Sequence, residues 1–184
     1  MSWNPEFDKF LASQRSDKER HGNLTERKTQ WLGKIEELYA QVTDILRPYS
    51  ENGSMHVSRS TAELREEALG TYHAPGLTID LGGSSVQFVP IGTMLLGSPG
   101  RVDLIGVRGS VRFVLVLPDF DRPIFTVTTT FGDRPRETKR GPLDLTPYQW
   151  KISTLPPKIR YSAIETISLQ SAIMEAANGH SRHR

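Results

Sequence analysis

The sequence predicts an α+β domain with an N-terminal helical arm, a curled antiparallel sheet of about six strands and a C-terminal helix packed on that sheet. Three observations carry this prediction. Between residues 77 and 150, short segments of alternating apolar and polar residues are divided by Gly, Pro and Asp turns. The links between them are too short for the helical crossover that parallel neighbours require, which argues against Rossmann and P-loop folds. On either side of this region, apolar residues recur at helical intervals.

Asn4 followed by Pro5 pairs a favoured N-cap with proline at the first helical position, and Glu6 and Asp8 place negative charge on the positive end of the helix dipole. The apolar residues of this first helix, Phe7, Phe10 and Leu11, occupy only its opening turns. The rest, to Arg20, is polar, and Gly22 is expected to end it in a left-handed conformation. Asn23 and Glu26 have capping-box spacing for a second helix, which Pro48 is expected to stop at Arg47. Trp31, Ile35, Leu38, Val42 and Ile45 follow the spacing of a heptad seam, which Leu32, Tyr39 and Leu46 broaden. A stripe of this width packs on the protein's own sheet or presents itself to a partner.

Residues 50–60 read as a polar linker, and 61–69 lean towards helix by propensity. Strands are expected at 77–81, 86–91, 102–107, 111–117, 124–131 and 148–153, with Gly82-Gly83 and Arg108-Gly109 supplying hairpin turns. Alternation within them predicts one buried sheet face and one largely wet face. Ser162 and Glu165 have capping-box spacing for a terminal helix carrying Ala163, Ile164, Ile167, Met174 and Ala177, ended by Asn178-Gly179. The division expected is a helical arm over 1–49, a sheet domain over 50–179 and a disordered basic tail over 180–184. A curled meander closed by a C-terminal helix resembles pleckstrin-homology-like barrels in fold alone.

The 184 residues suffice for one well-buried core, and a formal charge of +2 implies no wholesale attraction to polyanions. The absence of cysteine removes disulfides, thiolate nucleophiles and thiolate zinc sites. The N-terminus lacks a basic region followed by an apolar one, and no apolar run is long enough to span a bilayer, so a cytoplasmic protein without membrane contact is expected.

The run Asp80-Leu81-Gly82-Gly83-Ser84-Ser85 resembles the phosphate-binding turn Asp-x-Gly-Gly-x-Ser of the actin-like ATPase superfamily. The resemblance implies phosphate contacts at Asp80, Gly82, Gly83 and Ser84. That superfamily uses two such turns on two large lobes, whereas this chain has one. Arg101, with Arg136, Lys139 and Arg140 of the loop over 132–147, would supply the cations of a phosphate site. Asp133, Glu137 and Asp144 weaken that field, and the loop has no aromatic residue to stack a base, so nucleic acid is not the expected partner. Arg101 and Asp103 share a strand face and are expected to pair.

His56 and His73 belong to no metal-ligand pattern, Gly-x-Ser-x-Gly is absent, and no acid-x-lysine strand follows Asp103. No metal, cofactor or catalytic residue is expected. The leading expectation is a non-enzymatic protein-interaction or regulatory module. It would dock on a protein partner or a second copy through Trp31, Ile35, Leu38, Tyr39, Val42 and Ile45 of its helical arm. The alternatives are a small phosphate- or nucleotide-handling protein using the Asp80 turn and basic loop, and a barrel holding an apolar ligand.

Overall fold

The computed structural model describes residues 5–93, 98–123 and 144–178. One helix, α1 (Pro5–Glu51), is followed by strands β1 (His56–Glu66), β2 (Gly70–Asp80), β3 (Ser85–Gly92), β4 (Arg101–Gly106), β5 (Ser110–Val116), β6 (Gln149–Ser153) and β7 (Tyr161–Ala163), then by α2 (Thr166–Asn178). The strands form one antiparallel sheet in sequence order, open between β1 and β7. The α+β expectation is met, with seven strands where about six were expected.

Three local expectations are corrected. The arm is one helix of 47 residues rather than two, because nothing forces Gly22 out of the helical conformation and an interior glycine costs only about 1 kcal/mol. Pro48 lies inside the final turn, where its missing N–H removes a single bond, and the chain leaves the helix only after Glu51. Residues 61–66 are strand, not helix: β1 pairs with β2 over eleven consecutive positions, from His56↔Asp80 to Glu66↔Gly70, and this pairing overrides local propensity. The segment 124–131 lies outside the described residues, as does the tail 180–184.

The buried residues of β2 change parity along the strand, Tyr72 and Ala74 before Pro75-Gly76 and Leu77 and Ile79 after it. The hairpin therefore turns a corner there. At this corner a Cβ on Gly76 would stand 2.5 Å from Oγ of Ser60, a side chain that can turn aside, and 3.4 Å from the Phe88 carbonyl oxygen, so the neighbouring strands lie close here.

Both helices pack into the same core. Trp31, Ile35, Leu38, Tyr39, Val42 and Leu46 of α1 are buried in one cluster with Phe88, Phe113, Leu115 and Trp150 of the sheet. Tyr39 meets Phe88 edge-on at 6.0 Å, and Phe88 meets Phe113 in the same way at 5.1 Å. The small residues of α2, Ala172, Ala176 and Ala177, let its backbone come down onto β4, where a Cβ on Gly106 would lie 2.3 Å from the Ala176 carbonyl oxygen. The opposite sheet face is drier than expected at its centre. Asp103, Val114, Val116 and Ser153 are buried, and Nζ of Lys151 donates to the carbonyls of Pro118 and Phe120, 2.6 and 2.9 Å away, drawing the loop after β5 towards the sheet.

Candidate interaction surface

Helix α1 serves two different environments. Its C-terminal half lies between the open edges of the sheet. Facing β6 and β7, its Lys34, Glu37 and Gln41 line a cleft of about 560 Å³, and Nε2 of Gln41 donates to the Ile164 carbonyl at 3.0 Å. Facing β1, its Ala40, Asp44 and Arg47 line a cleft of about 510 Å³. There Arg59 pairs with Glu36 at 2.8 Å and lies over the Tyr39 ring. Of the six residues expected to meet a partner, Trp31, Ile35, Leu38, Tyr39 and Val42 are fully buried against the sheet and Ile45 is half-buried beside them. As folded, they join the helix to its own domain.

The hydroxyl of Tyr39 donates to the carbonyls of Pro75 and Phe88, at 3.1 and 3.3 Å, and burial drives its ionisation well above the ordinary range. At the other end of this interface, Arg27 donates to the Thr93 carbonyl at 2.5 Å. Beside it Glu66 accepts from the Tyr72 hydroxyl and, at 2.9 Å each, from the main-chain N–H and hydroxyl of Thr93. Burial first, and then the hydrogen bond to Glu66, raises the Tyr72 ionisation. Nε of Arg27 and Nε1 of Trp31 are buried here with no acceptor among the described residues.

The N-terminal part of α1 differs. At a rise of 1.5 Å per residue, Phe10 stands about 25 Å along the axis from Arg27. Phe7, Phe10 and Leu11 are 57, 55 and 40 % exposed, and the two rings stack at 6.4 Å. This i, i+3, i+4 triplet is the apolar signal noted at the start of the chain.

The Asp80 run is the β2–β3 hairpin turn. Oδ1 of Asp80 accepts from the N–H of Gly82 at 2.8 Å, Gly82 adopts a φ of +82°, and the Leu81 N–H donates to the Ser84 carbonyl at 2.8 Å. Arg101 forms a bidentate pair with Asp103, 2.9 Å on both bonds. It sits against Gly92, at the end of β3 away from Ser85 and the turn. The described residues therefore do not bring Arg101 to Asp80, Gly82, Gly83 and Ser84, and Arg136, Lys139 and Arg140 lie outside them. His56 and His73 are exposed. Among the described residues, no group of three His, Asp or Glu is placed to hold a metal ion, and no helix is long and apolar enough to cross a membrane.

No family model matches the chain, nor does any curated protein or solved structure.

Proposed function

We propose that this protein is a non-enzymatic interaction module of the cytoplasm that docks on a protein surface through the N-terminal arm of α1. The observation that supports this reading is the division of a single helix. Its apolar stripe from Trp31 to Leu46 is used up by the sheet, while Phe7, Phe10 and Leu11 are exposed at the far end with the anchor spacing of a helix that binds in an apolar groove. A lipid surface fits less well. Between residues 5 and 23, Glu6, Asp8, Asp17 and Glu19 balance Lys9, Arg15, Lys18 and Arg20, so this segment carries no net positive charge to draw it to anionic lipid. The cytoplasmic assignment rests on the absence of cysteine.

The test is affinity capture with the full chain and with its Phe10→Asp/Leu11→Asp variant, followed by mass spectrometry. A protein retained by the first and lost from the second, including an untagged copy of the chain itself, is the expected outcome. Equal retention by both, or specific retention by neither, defeats the reading.

A further inference from the structure

The arm is not the sole exposed apolar feature that lies on a helix of the described structure. Another is on α2. Its inner face, Leu169, Ala172, Ile173, Ala176 and Ala177, is buried on the sheet, yet its outer face carries Ile167 and Met174, 78 and 57 % exposed and two turns apart with Ser171 between them. Uncharged Ser171 leaves this stripe without the charge that usually keeps a solvent-facing helix wet.

These two features stand at opposite ends of the fold. Arg27, where α1 meets the body, is tied to Thr93, just past the Gly92 end of β3. Ala176 lies on Gly106, which pairs with Val86 near the other end of β3. A helix running on from Arg27 away from the body therefore does not reach the α2 of its own chain. Two copies laid side by side and antiparallel, however, bring the arm end of each to the α2 end of the other, and a two-fold axis makes the exchange reciprocal.

We propose that the occupant of the α2 outer face is the arm tip of a second copy, so that Phe10 and Leu11 of each chain pack on Ile167 and Met174 of the other. This inference rests on the arm being a docking element. The area argument favours a reciprocal exchange over a single contact. One arm-on-α2 contact covers on the order of 500 Å², and two cover about 1,000 Å², the lower bound for a specific interface.

The experiment uses the full chain with benzoylphenylalanine in place of Phe10, irradiated both as pure protein and in cell extract, with sedimentation velocity on the unmodified protein alongside. The expected result is a concentration-dependent dimer and an intermolecular crosslink from position 10 into residues 166–178, identified with an isotope-labelled second copy. Ile167→Glu with Met174→Lys is expected to weaken self-association by about tenfold or more and to remove the crosslink. Both side chains are exposed, and the new charges suit the two ends of the helix dipole, so the variant keeps its fold, as an unchanged melting temperature would verify. A crosslink from arm to arm, or to a foreign protein, overturns the exchange and leaves the docking arm standing. A monomer that crosslinks to nothing in either setting overturns both.

Discussion

Trp150 of β6 donates its indole N–H to the main-chain carbonyl of Lys34 in the middle of α1, across 2.6 Å. The carbonyl belongs to a helix, so this bond fixes the position of α1 along its axis in a way that apolar packing alone does not. One turn earlier, Trp31 packs on the same indole at 5.9 Å between ring centroids. Trp150→Phe keeps most of the packing and leaves the indole donor out, with an expected loss of about 1 kcal/mol. Trp150→Ala opens a cavity under α1 and is expected to cost about 3–5 kcal/mol. Urea denaturation of the two variants separates the bond from the packing.

The closeness of α2 to β4 makes a second prediction. A methyl group on Gly106 would meet the main-chain oxygen of Ala176 at 2.3 Å, and backbone cannot swing aside as a side chain can. Gly106→Ala is therefore expected to push α2 off the sheet and to lose about 1–3 kcal/mol or more. Gly83→Ala is the control. Its Cβ meets nothing within 4 Å and its φ is not in the left-handed region, so its stability is expected to stay within about 0.5 kcal/mol of the parent. Thermal melts of both variants, with helicity followed by circular dichroism, check the contrast.

The hairpins were legible because each is bounded by a turn whose chemistry is local. Asp80 accepting from Gly82 and the Gly106–Gly109 bond between β4 and β5 both follow from residues two to four positions apart. β1 was not legible. Its inward residues are few, Val57, Ala62 and Leu64, and they change parity at the Pro75-Gly76 corner, so neither a period of two nor one of 3.6 emerges. The helical stripe shows a different limit. The spacing of Trp31, Ile35, Leu38 and Val42 establishes that one face is buried, but whether against the same chain or another is decided by Phe88, Phe113 and Trp150, which are distant in sequence. What the sequence did mark was the gap in that stripe between Leu11 and Leu24, which separates the arm from the body.

Tyr39 and Tyr72 predict the alkaline limit of stability. Both ionise in the folded state above their ordinary value of 10.0, chiefly through burial, with Glu66 adding to the effect at Tyr72. A group whose folded-state ionisation is raised stabilises the fold fully below its unfolded value, and that contribution is lost as pH rises through the folded one. Stability is thus expected to be insensitive to these groups below pH 10.0 and to fall above it. Tyr39→Phe and Tyr72→Phe should each flatten that decline. Following tyrosinate absorbance and unfolding together during an alkaline titration checks the sign: part of the absorbance rise should coincide with loss of the fold.

The two environments of α1 predict two kinds of variant on one helix. Ile35 is fully buried between the sheet and its neighbours Trp31 and Tyr39, so Ile35→Ala is expected to cost about 2–5 kcal/mol. Phe10 and Leu11 are exposed, and replacing both with Asp removes little from the core. The double variant should therefore melt within about 0.5 kcal/mol of the parent while losing association. Denaturation and sedimentation on the same samples decide it. If Phe10→Asp/Leu11→Asp destabilises the fold as Ile35→Ala does, the arm is packed on the body and is not a docking element. If association is lost without stability, a single continuous helix has been divided between holding a sheet together and reaching another molecule, with the boundary near Arg27, which is tied to Thr93 just past β3.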